Sequence, residues 1–146
     1  MSRSKQIEKI ITWTARKVKK LKKASKSVNL KPQYSEAWTC DFGQNLPGEL
    51  SGIIPCVIVQ DVRTVVTPGS VVVIPIILQE PKYYTTNVNL SSEDVKTVGT
   101  SYFNKGTVIP HQIRTVSKAR LGKKIGVITE EVMLKVSNSL RVLNNL

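Results

Sequence analysis

The chain is poor in the residue types that most active centres rely on. Its 146 residues include one histidine, two cysteines and ten acidic side chains. Cys40 and Cys56 match neither a metal-ligand spacing nor a disulfide-rich framework, so buried free thiols in a reducing cytoplasm are expected, with no metal and no cofactor. Aromatic content is 5%, which leaves few rings for stacking nucleic-acid bases. Tyr34, Trp38, Tyr83, Tyr84, Tyr102 and Phe103 are the candidates, and Trp38 is expected in the core. The longest apolar run, Val71 to Leu78, is eight residues with Pro75 inside it, much too short to span a bilayer. The start of the chain lacks the apolar stretch of a secretory signal, although its basic, acid-poor character resembles an organellar transit peptide. No internal repeat or low-complexity tract interrupts the rest. The expectation is a cytoplasmic protein without a membrane partner.

Positive charge is abundant, and it is unevenly placed. Lys and Arg number 22 against 10 acidic residues, a net charge of +12. Residues 1–33 hold eleven of those cations and a single acid, Glu8, while residues 34–146 are close to neutral. The chain therefore divides into a basic amphipathic helix with a linker, residues 1–33, and a barrel domain, residues 34–146. Ser4 can cap the helix, and Ile7, Ile10, Ile11, Val18 and Leu21 recur at helical spacing with Trp13 beside them. Lys17, Lys19, Lys20, Lys22 and Lys23 crowd its second half, and Ser25 to Pro32 reads as linker. Three roles stay open for this helix. Its lysines can neutralise phosphates, its apolar flank can lie on a membrane surface, or the flank can pack on the barrel with the lysines in water.

From Glu36 the pattern changes to short β-branched segments: Ala37 to Phe42, Ile53 to Gln60, Val71 to Leu78, Thr85 to Leu90 and Thr107 to Gln112. Asn45 to Gly48 and Thr67 to Gly69 supply turns, and Pro55 and Pro75 fit strand starts or bulges, where a missing N–H is tolerated. Ser91 to Lys96 suggests a short helical turn. Thr129 followed by Glu130 and Glu131 starts a last helix, whose buried stripe would be Val132, Met133, Val136, Leu140 and Leu143. This is mainly β with flanking helices, a small barrel closed by a C-terminal helix.

Three segments carry a family resemblance. Gly48-Glu-Leu-Ser-Gly-Ile-Ile-Pro55-Cys-Val-Ile-Val-Gln60, Val71-Val-Val-Ile-Pro-Ile76 and Gln112-Ile-Arg-Thr-Val-Ser-Lys-Ala-Arg-Leu121 resemble the core of MazF/PemK-type toxins, over about Tyr34 to Leu146. The third is the most specific, tracking the family's Glu-Gln-Ile-Arg-Thr-Ile-Asp-Lys-x-Arg-Leu. The resemblance implies an SH3-like barrel of the PemK/MazF/CcdB type, a homodimer, single-stranded RNA in a groove across the pair, an acidic antitoxin and metal-independent RNA cleavage. The family's first segment usually carries Gly-x-Arg-Pro, and Ile54 stands at the arginine position. Seventeen residues on from Gln60, where a catalytic Thr or Ser is usual, stands Ile77.

Cleavage of this kind needs a base for the 2′-OH, an acid for the leaving 5′-oxygen and a cation near the developing charge. Isoleucine supplies none of them. The candidate substitutes are His111, where the family usually has Glu, and Arg114, which matches an arginine that some members use on phosphate. Ser117 replaces a frequent Asp, and Arg63 lies in the loop between the two altered strands. The same residues can equally be structural: a strand-end histidine, a bracing arginine and an exposed loop cation. Two readings follow, a ribonuclease with relocated groups or a non-catalytic nucleic-acid- or partner-binding protein on the same fold.

Overall fold

Alternation along a single strand divides the interior into two cores. The computed structural model describes residues 2–61, 63, 68–78, 86–98 and 105–146. Helix α1 (Arg3–Ser27) precedes β1 (Glu36–Asp41), β2 (Ile53–Ile58), β3 (Ser70–Ile77), β4 (Val88–Ser91), β5 (Val95–Thr97), β6 (Lys105–Val108), β7 (Arg114–Ser117) and β8 (Leu121–Ile128), and α2 (Glu130–Leu143) follows. Paired strands are antiparallel, in the order β4-β6-β3-β2-β1-β8-β5 with β7 also on β3, and they curl into a nearly closed barrel. Val71 and Val73 of β3 join Cys40, Phe42, Cys56, Ile58 and Val116 in one cluster, whereas Ile74 and Ile76 face the cluster under α2. A strand buried on both faces has no polar positions to spare. That is why this stretch reads as one apolar run.

Pro75 sits where β3 changes partner. Residues Ser70 to Val73 pair with β7, and Ile76 and Ile77 pair with β6. The Pro75 carbonyl accepts from the Ile109 N–H at 3.1 Å on that same edge, so the N–H that proline lacks falls in the gap between the two ladders. Pro110 then begins a 3-10 turn, Pro110–Gln112, and ends the expected strand from Thr107 early.

The expected strands are present with shifted ends, and the 3-10 turn Ser92–Asp94 and helix α2 stand where they were anticipated. Val132, Met133 and Val136 are buried, but Leu143 is exposed. Strands β5, β7 and β8 were not anticipated. They have three, four and eight residues, and Gly-Lys-Lys in β8 masks its alternation. The N-cap of α1 is Ser2, not Ser4, and the helix continues to Ser27, three residues into the expected linker. Tyr83, Tyr84, Tyr102 and Phe103, the strand start at Thr85 and the turn at Thr67 lie outside the described residues.

Glu36 ties the first strand to the last. Its carboxylate accepts from the Gln33 N–H at 2.7 Å and the Trp38 indole at 3.2 Å, and it pairs with Lys124 Nζ at 2.6 Å. Burial alone would raise its pKa, but Lys124 and the two N–H donors outweigh burial and hold it below the ordinary 4.5. Its stabilising contribution is therefore full above pH 4.5 and is lost as pH falls through the lower folded value. Glu36→Gln should flatten the acid limb of the stability profile, measured as urea midpoints from neutral pH downward.

Candidate functional site

The two isoleucines come to one place in the sheet. Cys56 pairs with Pro75 and Ile58 with Val73, and continuing this register by two residues sets Ile54 opposite Ile77. Opposite residues share a face. Ile54 is half-buried against the cluster of Cys56, Val71 and Val73. Ile77, also half-buried, pairs on its other side with Thr107, whose Oγ1 lies 3.3 Å from Asn89 Oδ1. The nearest hydroxyl in the ladder is thus already engaged, and neither isoleucine can donate, accept or titrate.

Arg114 opens β7 opposite Val73, and its guanidinium carbon lies 5.4 Å from the centre of the Phe42 ring. Such stacking holds a cation in place for roughly 0.5–2 kcal/mol while leaving its charge intact. His111 is exposed on the 3-10 turn after Pro110. Ser117 Oγ accepts from the Ala119 N–H at 3.2 Å and caps the turn Lys118–Arg120. Arg63 is folded back on Asp61, with Nη2 2.8 Å and Nε 3.0 Å from its carboxylate oxygens. That pairing, between exposed groups, holds the Asp61 carboxyl below its ordinary value.

The largest correction concerns α1. Trp13, Arg16, Lys20, Ala24 and Ser27, spaced three or four apart, are the residues of its middle and end that lose exposure. The stripe of Ile7, Ile10, Ile11, Val18 and Leu21 does not pack on the barrel and stays between 46% and 68% exposed. The reason is a carboxylate. Asp41, 3% exposed, receives Arg16 Nε at 3.1 Å, Lys20 Nζ at 3.6 Å and the Gly43 N–H at 3.0 Å. Arg120 donates to the Asp41 carbonyl at 3.0 Å.

Trp13 completes the seat. Arg16 and Arg120 lie 5.4 and 5.1 Å from its ring centre. The ring also closes on Gly43, where φ is +80° and a Cβ would come within 2.7 Å of Trp13 Cζ2. Of the five lysines expected on phosphates, Lys17, Lys19, Lys22 and Lys23 face solvent, while Lys20 is drawn into the Asp41 pair. Trp13, Arg16, Asp41 and Arg120 were not anticipated as a group. Arg16 and Arg120 are 25 and 79 positions from Asp41 along the chain, so no local pattern links them.

Residues 35–143 match the family described as PemK-like, MazF-like toxin of type II toxin-antitoxin system. Helix α1 lies outside that match. Among solved structures, the chain is similar to an endoribonuclease in complex with its cognate antitoxin from Mycobacterial species, at 23% identity and TM-score 0.58, covering 80% of this chain and 97% of that one. It is also similar to MazF (Form-I) from Deinococcus radiodurans, at 16% identity and TM-score 0.63, covering 81% and 100%. MazE-MazF (Form-II) from the same organism gives 17% identity and TM-score 0.59, covering 81% and 99%. At such identities these likenesses show the fold. No curated protein matches the chain. Among the described residues no helix is long and apolar enough to cross a membrane.

The seat of α1 is open to test. Asp41→Asn removes the charge that binds Arg16 and Lys20, and should cost about 1–3 kcal/mol, less than a fully buried pair because Arg16 is partly solvated. Gly43→Ala should loosen the same contact by displacing Trp13. In a Trp38→Phe background both variants should red-shift Trp13 emission and speed amide exchange in α1.

Proposed function

Because the chain belongs to the PemK-like, MazF-like toxin family, we propose that it is the toxin-side member of a toxin–antitoxin pair that holds single-stranded RNA with little or no power to cut it. The observation that carries this reading is the β2–β3 register, which, continued two residues beyond Cys56 and Pro75, sets Ile54 opposite Ile77. On the family pattern these positions supply the charge donor and hydroxyl for phosphodiester cleavage, and two aliphatic side chains remove both from one face. Loss of one preorganised donor costs about a hundred- to a thousandfold in rate. Loss of two that act together need not cost more than the worse of them. His111 and Arg114 are the remaining candidate groups, and the seat of Arg114 on Phe42 favours a phosphate-holding role over proton transfer.

Binding is better served than cleavage. Lys17, Lys19, Lys22 and Lys23 are exposed cations on one helix, and such groups neutralise phosphates without regard to sequence. In this reading the protein acts in the cytoplasm as a homodimer with RNA across the pair and an acidic antitoxin as protein partner. The similar structures of an endoribonuclease with its cognate antitoxin and of MazE-MazF support the protein partner.

Purified protein should be incubated with a long single-stranded RNA in EDTA and new 5′ ends mapped, beside His111→Ala, Arg114→Ala and the double variant Ile54→Arg/Ile77→Thr. The unmodified protein should retain RNA on filters and produce few new ends, and the double variant should raise cleavage about a hundredfold or more. Cleavage by the unmodified protein that disappears in an alanine variant would instead establish a ribonuclease with relocated groups. Replacing Lys17, Lys19, Lys22 and Lys23 by Gln should lower the salt slope of RNA binding by up to about 3.

A further inference from the structure

Helix α1 shows water the side that an amphipathic helix normally hides. Its Ile7, Ile10, Ile11, Val18 and Leu21 form an outward stripe broken at Thr14, because Asp41 and Gly43 claim another side through Trp13, Arg16 and Lys20. We propose that this flank of α1 is a docking site for an acidic amphipathic helix of a partner protein. The proposal deepens the toxin-side reading by giving a partner's chemistry and the surface it uses, and it rests on that reading only for the existence of a protein partner.

Shape argues for a peptide. Ile10 forms one wall of a furrow of about 260 Å3 with Gln6, Leu46, Pro47 and Glu49. Leu21 lines a second hollow of about 110 Å3 with Trp13, Lys17, Ala24 and Ala119. Ile10 and Leu21 are eleven positions apart, about 16 Å along the helix axis. A partner helix with apolar residues at i, i+4, i+7 and i+11 would present side chains at that same spacing and seat one in each hollow. A flat bilayer reaches the crest of α1 but not the walls below it. Trp13, the ring an interfacial helix would insert, is turned to the barrel and held between Arg16 and Arg120.

Charge selects the partner's sign. Residues 1–33 carry eleven cations and one acid, and exposed Lys17, Lys19, Lys22 and Lys26 flank the stripe. A second copy of α1 would set these lysines against their own kind, whereas glutamates beside an apolar seam would pair with them. The hollows differ in this respect: Glu49 borders the furrow at Ile10, and Lys17, Lys20 and Arg120 border the one at Leu21. The acidic end of the partner is therefore expected at the Leu21 end.

The probe is a labelled three-heptad peptide with leucine at the seam positions and glutamate on both flanks, titrated into the full chain by fluorescence anisotropy. Controls are the same peptide with lysine for glutamate, phosphatidylcholine vesicles with and without phosphatidylserine, and sedimentation of the protein alone. The acidic peptide should bind with an affinity that falls with salt, and the lysine peptide should not bind. Ile10→Ser/Leu21→Ser, at exposed positions, should weaken binding about tenfold or more with thermal stability and RNA retention unchanged. Equal affinity of the variant and unmodified protein, or no binding at all, would overturn the proposal. So would a stripe-dependent association with phosphatidylserine vesicles or with a second copy in place of peptide binding. Peptide binding that persists while RNA retention fails would sink the RNA-holding reading and leave the docking site standing.

Discussion

A carboxylate withdrawn from water has to be paired, and the seating of the first helix on the sheet follows from where Asp41 finds its partners. The residue closes β1, is 3% exposed, and draws Arg16 and Lys20 from the first helix while its carbonyl takes Arg120 from the turn after β7. Three segments distant in sequence meet there. The helix is consequently docked through Arg16, Lys20 and Trp13, and hydrophobic burial, which usually decides which face of a helix turns inward, is overridden for its isoleucine stripe. Trp13 makes the exception tolerable by supplying an apolar body that packs on Gly43 and a π face for two guanidinium groups.

The barrel is organised by a different constraint. A strand buried on both faces can exchange partners only where its backbone hydrogen bonding allows, and Pro75 provides that break between the β7 and β6 ladders of β3. Past the break, Ile77 lies beside Thr107, and the continued β2 register faces it with Ile54. That part of the sheet is aliphatic in side chain. Cations are found elsewhere: Arg114 is fastened to Phe42, and exposed lysines stand on α1. In the proposed role these cations hold a polyanion that the aliphatic pair does not attack.

Much of this was legible in the residues. Period-two apolar segments, glycine and proline punctuation and the acidic start of α2 mark local conformations, and local conformation is set by the chain itself. The concentration of charge in residues 1–33 and the isoleucines at 54 and 77 are facts of the sequence, as is the match of Gln112 to Leu121 with a family motif. Strands β5 and β7 were hidden because three or four residues are too few to show a period, and β8 because glycine and lysines interrupt it.

Only the tertiary structure decided which side of α1 turns inward. The periodicity of Ile7, Ile10, Ile11, Val18 and Leu21 identifies a stripe but not what it faces, and the answer came from Asp41, a residue 25 positions from the arginine it holds. The same holds for Arg114 on Phe42, for Arg63 turned back on Asp61 and for the β2–β3 register that runs toward Ile54 and Ile77. By itself, then, the sequence determined the elements, the charge and the residue types at each position. Pairing across distance was decided by the fold, because a buried charge and a strand register are settled by whichever groups the closed barrel brings within reach.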